Sequence, residues 1–78
     1  MARVRYFAAV EEAVGSAEEL RDEVTLGELR EALLAEHAAL GEILPRCSIL
    51  VAGSRQDDAG TPLGADVLVD VLPPFAGG

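Results

Sequence analysis

From Ala2 onward the chain alternates, with Val4 and Tyr6 on one side and Arg3 and Arg5 on the other. A period of two marks a half-buried strand, and Phe7 closes the run on the arginine side. Ala8 to Val14 (AAVEEAV) predicts a short helix, with Gly15-Ser16 as its stop. Glu19 to Val24 is weakly patterned; Leu20, Asp22 and Val24 share a side, which predicts a second strand. Thr25-Leu26-Gly27-Glu28 has capping-box spacing. In that motif the Thr hydroxyl accepts from a free backbone N–H while the Glu reaches back to the cap. Leu26, Leu29, Leu33 and His37 then recur every three or four residues, the stripe of the main helix. That helix is expected to run to about Ala38 and to end before Gly41, with Pro45 as a further breaker. Arg30, Glu31 and Glu36 fall off the stripe, toward water.

Ser48 to Ala52 (SILVA) is a short β-rich run closed by a turn at Gly53-Ser54. Gln56 to Gly60 reads as loop, and Thr61-Pro62-Leu63-Gly64 as a turn that tucks Leu63 inward. Val67, Val69 and Val71 alternate with Leu68, Asp70 and Leu72 to give a last strand. Pro73-Pro74 stops it, because neither residue can donate to a ladder. The expected order is strand, short helix, strand, long helix, strand, loop, strand, tail. Such an order fits an α+β roll, one helix packed across a small mixed sheet with the first and last strands central. Residues 1–78 are expected to form one domain, with 73–78 as a protruding tail.

Composition narrows the chemistry. A chain of 78 residues, half of them hydrophobic and only three aromatic, supports one core but no deep internal pocket; a domain this small buries roughly 60% of its unfolded surface. Cys47 is the only cysteine, so no internal disulfide, metal cluster or iron–sulfur centre can be built from cysteines. The N-terminus has no apolar run of signal or membrane-spanning length, and a reducing cytoplasm with no membrane partner is the expected setting. The net charge of −8 disfavours nucleic acid and favours a basic protein partner. All six basic residues are Arg, which leaves no lysine for Schiff-base chemistry or for accepting an isopeptide. No Ser-His-Asp set, phosphate loop or metal-binding spacing is visible, so the chain is not expected to be an enzyme on its own.

The functional signal is the ending Pro73-Pro74-Phe75-Ala76-Gly77-Gly78, placed straight after the last strand. Together with VRYFA at Val4 to Ala8, T-L-x-x-L at Thr25 to Leu29, Ile49 to Gly53, T-P-L at Thr61 to Leu63 and the run from Asp70 to Gly78, it resembles the MoaD/ThiS sulfur carriers. These are ubiquitin-like β-grasp proteins, and the likeness is greatest to the small subunit of molybdopterin synthase. Relatives often carry a Gly-Asp-Glu turn where this chain reads Gly64-Ala65-Asp66, and Val where it has Phe75.

The resemblance implies a role for the Gly78 carboxyl as a reactant rather than a catalyst. An ATP-dependent, E1-like adenylyltransferase activates it, and a sulfur-donor enzyme then supplies the sulfur of a C-terminal thiocarboxylate. The carrier itself binds no cofactor. The thiocarboxylate enters the large synthase subunit, in a heterotetramer, and its sulfur passes to a pterin precursor of the molybdenum cofactor. Two glycines suit a narrow channel because they present no side chain and accept any backbone angle. Extended, residues 73–78 span roughly 20 Å. Phe7, Leu68, Leu72, Pro73, Pro74, Phe75, Ala76 and Gly77 are the expected partner-binding residues, with Phe75 an anchor in an apolar pocket.

The other candidates have plainer readings. Cys47 follows Arg46, which can lower a thiol pKa, but a small, partly buried hydrophobe is the ordinary role of a free cysteine. His37 lies on the apolar stripe and reads as structural; Asp57-Asp58 reads as turn chemistry, and Glu11, Glu12, Glu18 and Glu19 as solvated or as a steering surface. Other functions remain open beside molybdopterin formation. They are sulfur delivery to thiazole, tRNA thiolation or cysteine synthesis, a covalent protein modifier, and a passive interaction module.

Overall fold

Residues Ala2–Tyr6 form β1, whose alternate side chains Ala2, Val4 and Tyr6 are buried. The computed structural model describes residues 1–74. At Ala8 the backbone enters the left-handed region (φ 49°), which turns the chain out of β1 into helix α1, Ala8–Val14. Gly15 closes α1 at φ 87°, a conformation that costs an L side chain and not glycine. Strand β2, Glu18–Arg21, then returns antiparallel to β1.

Helix α2, Leu26–Glu36, begins at the expected cap. The Thr25 hydroxyl accepts from the Glu28 N–H at 3.2 Å and donates to the Glu28 carboxylate at 3.1 Å. The reciprocal half of the capping box is thus made to the hydroxyl and not to the Thr25 N–H. The helix stops two residues before the expected Ala38, with His37 as its extended C-cap, and a 3-10 turn at Ala38–Leu40 follows. A second 3-10 turn, Leu44–Arg46, leads into β3, Ser48–Val51. Ala52 and Gly53, both at positive φ (52° and 84°), turn β3 into the two-residue β4, Ser54–Arg55. Ser54 is therefore strand, not turn. After a long loop, β5 (Leu68–Leu72) closes the sheet.

The strand order is β2-β1-β5-β3-β4. The first and last strands lie side by side and parallel, and β5 is also antiparallel to β3. On the inner face Val4, Tyr6, Val69, Val71 and Ile49 meet Leu26, Leu29 and Leu33 of α2, all essentially inaccessible to water. Each such leucine contributes roughly 1.5–3 kcal/mol by leaving water. Leu63 tucks into the same core, as its turn predicts.

Two expectations need correcting beyond the ends of elements. The second strand ends at Arg21, so Asp22 and Val24 are not part of it. The Val24 carbonyl instead accepts from Leu63 N–H, and Thr25 bridges Pro62. Glu19 is not a solvated acid: it accepts from the Tyr6 hydroxyl at 2.7 Å and from Arg21 at 3.3 Å. Arg21 also binds Glu23 and Glu36, each through two short hydrogen bonds, and so ties β2 to the end of α2. A cation there also suits the negative end of the helix dipole.

Candidate functional site

In register, residues opposite one another share a face of a sheet. The pairings Arg3↔Leu68, Arg5↔Asp70, Leu50↔Asp70 and Ser48↔Leu72 therefore set these side chains together on the outer face, away from α2. Leu20 and Glu18 of β2 join them opposite Arg3 and Arg5. Among the described residues no helix covers this face: Leu20 is 61% and Leu68 36% exposed, and Leu50 and Leu72 are half-buried.

At its centre Arg5 donates to Asp70 through two hydrogen bonds, Nε to Oδ1 at 2.6 Å and Nη2 to Oδ2 at 2.9 Å. Hydrogen bonding to Asp70 is the main reason the Arg5 pKa is raised. The same guanidinium lies 5.6 Å from the centre of the Phe7 ring, within cation–π range. Phe7 is half-buried and donates its N–H to the Val71 carbonyl, so it sits at the end of β5 from which the tail departs. Pro73 is buried there, and Pro74 is exposed in a turn. An open cleft of ≈380 Å³ beside them is lined by Arg5, Tyr6, Phe7, Glu11, Ala17 and Glu18.

The structure thus brings four of the expected partner-binding residues onto one surface: Phe7, Leu72 and Pro74 at the tail end, and Leu68 at the other end of β5. Pro73, also expected there, is buried, continuing the inward alternation of Val69 and Val71. Phe75, Ala76, Gly77 and Gly78 lie outside the described residues. The Arg5–Asp70 pair, Leu20 and Leu50 are additions that sequence reasoning missed. Alternation put Arg5 and Asp70 on the outer sides of their strands, but only the register joins them.

The remaining candidates take the plainer roles. Cys47 is half-buried, its Sγ donates to the Ile43 carbonyl at 3.2 Å, and burial pushes its pKa up, opposite to the effect expected of Arg46. Asp58 accepts from Gly60 N–H in an ordinary turn. His37 ends α2 beside Glu36, at 3.9 Å. Among the described residues no group of three His, Cys, Asp or Glu side chains is placed to hold a metal ion, and no helix is long and apolar enough to cross a membrane.

A small mixed sheet wrapped on one principal helix, with the first and last strands parallel at its centre, defines a ubiquitin-like β-grasp protein. The chain belongs to the ThiS family, whose sequence profile matches residues 4–78. Proteins of that family are small sulfur-carrier subunits without catalysis of their own, and this chain is such a carrier. A chain in the complex of subunits 1 and 2 of molybdopterin-converting factor from Helicobacter pylori is 31% identical, with a TM-score of 0.73 over 99% of this chain and 97% of that one. SAMP1 from Haloferax volcanii is 25% identical, with a TM-score of 0.71 over 99% and 98%. The putative molybdopterin converting factor subunit 1 from Pyrococcus furiosus shares the fold, with a TM-score of 0.77 at 24% identity over 95% and 97%. No curated protein sequence matches the chain.

Proposed function

We propose that this chain is the sulfur-donating small subunit of a molybdopterin-forming synthase, acting in the cytoplasm through Gly78. The carboxylate attacks the α-phosphate of ATP on an activating enzyme, releasing pyrophosphate and leaving an acyl-adenylate. A sulfur-donor enzyme then delivers sulfur to the acyl carbon; AMP departs and a thiocarboxylate remains. The large synthase subunit receives the tail, the sulfur bonds to the pterin precursor, and water cleaves the acyl–sulfur bond, returning Gly78 to its carboxylate. ATP is spent by the activating enzyme, and the carrier binds no cofactor.

The observation that carries this reading is the 31% identity, over nearly the full length of both chains, with a chain of the Helicobacter pylori two-subunit complex. The outer face agrees with it physically. Phe7 and Leu72 adjoin the root of the tail and Leu68 extends the same apolar face to the far end of β5, so one partner can cover the face while the tail enters its site.

The test is the intact mass after incubation with ATP, an activating enzyme and a sulfur donor, beside a copy lacking Gly78. A sulfur-for-oxygen mass gain in the full chain only, and copurification of the full chain with the large subunit, are expected. No gain with an activating enzyme that loads another carrier would overturn the reading. A second reading, covalent protein modification, is favoured by the likeness to SAMP1, a small archaeal modifier protein. Isopeptide conjugates of Gly78 on target lysines, with no large subunit bound, would decide for it.

A further inference from the structure

The outer face combines two features that rarely coexist on an uncovered surface. Leu20, Leu50, Leu68 and Leu72 make it apolar, yet an arginine and a carboxylate stand in its middle. The carboxylate is Asp70, 14% exposed, and both of its oxygens are taken by Arg5. Arg5 is 43% exposed and rests against Phe7. Arg3 and Glu18 form a second, looser pair on the same face at 3.4 Å. Charge at the centre of this surface is therefore matched locally, although the protein as a whole carries −8; Arg55, opposite Leu50, adds an exposed cation at the β4 edge of the same face.

The acids that make up that excess lie elsewhere. Glu28, Glu31 and Glu36 belong to α2, Asp57 and Asp58 to the loop near it, and Glu11 and Glu12 to α1, where Glu11 lines the cleft beside Phe7. A neutral centre, an acidic rim at α1 and a cation, Arg55, at the opposite β4 edge describe the complement that fits. It is a protein with an uncharged apolar patch at its middle and basic side chains where it meets α1.

The geometry points to Arg5 and Asp70 as a closed pair that determines which protein can dock on the outer face: one whose patch is uncharged opposite the pair and basic opposite Glu11 and Glu12. This inference rests on the carrier reading above and specifies the partner surface of the same site. A docked protein excludes water from the pair. While both members are present, the pair enters as a neutral unit; with one removed, the other becomes an unmatched charge that binding must bury. Replacement of both by apolar residues restores neutrality.

The test measures binding of the large molybdopterin-converting-factor subunit encoded in the same genome to four proteins: the native chain, Arg5→Met, Asp70→Leu, and the double variant Arg5→Met/Asp70→Leu. Thermal melts confirm that each is folded. Each single change is expected to raise Kd about tenfold or more, mainly through faster dissociation, and the double variant to return to within about threefold of native. Glu11→Gln/Glu12→Gln is expected to slow association about threefold and to flatten its salt dependence.

Single variants within twofold of native, or a double variant whose loss equals the product of the two single losses, overturn the inference and leave the carrier reading standing. Failure of the native chain to bind that subunit overturns the docking partner proposed above and this inference with it. A concentration-dependent dimer that the single changes abolish would place a second copy of the chain on the face, and overturns the choice of occupant.

Discussion

Arg21 and Arg5 stand on opposite faces of one sheet, and both are held by carboxylates, yet they do different work. Arg21 is 10% exposed and gathers three acids, from β2, the segment after it and α2. It is a tie between elements, and it leaves a local excess of negative charge on the helix side. Arg5 takes one acid from the neighbouring strand and leaves no excess. Burial decides the difference: hydrogen bonds to a covered cation contribute more to stability than those of an exposed pair. The helix side spends its charges on architecture, whereas the centre of the outer face keeps its own balanced where apolar surface is still uncovered.

The largest effect that separates the two is on stability. Arg21→Met is expected to cost about 2 kcal/mol and to lower Tm by about 10 °C. Arg5→Met is expected to lower Tm by clearly less than Arg21→Met does, as changes at exposed pairs do. Circular dichroism melts measure both, and equal losses would break the comparison. The same tie sets an acid limb. Hydrogen bonds from Arg21 hold the Glu23 and Glu36 carboxyls below their ordinary value of 4.5. The unfolded chain therefore takes up protons first. The stability these groups contribute is whole above about pH 4.5 and is lost as pH falls through their lowered folded values. Urea midpoints between pH 3 and 6 are expected to drop on the acid side, and Arg21→Met to flatten that drop.

A smaller effect probes how tightly the helix side is packed. A Cβ at Gly27 would lie 2.9 Å from the Ala59 Cβ and 3.0 Å from its carbonyl oxygen, which accepts the Gly27 N–H. Gly27→Ala is expected to cost about 1 kcal/mol, the crowding outweighing the alanine's better helix propensity. Gly64, with nothing within 4 Å of a built Cβ, is the control, and Gly64→Ala is expected to leave Tm unchanged within about 2 °C. The least perturbing test is chemical. With its thiol pKa raised by burial, Cys47 is expected to react with iodoacetamide several-fold more slowly than free cysteine at pH 7.5, as followed by mass.

Much of this architecture was legible because its signals are local. Alternation alone sorts Val4, Tyr6, Val69 and Val71 inward, Gly15 marks the end of α1, and Thr25 marks the start of α2. The misses share a physical cause. Strand β4 has two residues and each 3-10 turn has three, too few for any period to register. Strand β2 ends earlier than its pattern predicts because Val24 serves another purpose: its carbonyl holds the loop at Leu63. Neither arginine site was legible. Arg5 and Asp70 are 65 positions apart, and Arg21 and Glu36 are 15 apart, so only the fold introduces them. The shared face of Phe7, Leu68 and Leu72 is legible because an apolar residue on the polar side of a strand shows up without knowledge of its neighbours.

The parallel pairing of β1 with β5 has a consequence for how the chain is made. As the polypeptide grows from its N-terminus, β1 emerges first and β5 last among the strands. Early in synthesis β1 can gain β2 on one side, but its other edge waits, with β3 and β4 unable to join it directly. Contacts this distant in sequence form slowly, because the intervening chain must first be closed into a loop. Ribosomes that stall or terminate before Leu68 would release a chain with the β1 edge open and unpaired, a ready template for aggregation. The final strand that completes the fold is also the one that carries the tail, so a chain unable to fold is also a chain unable to present Gly78.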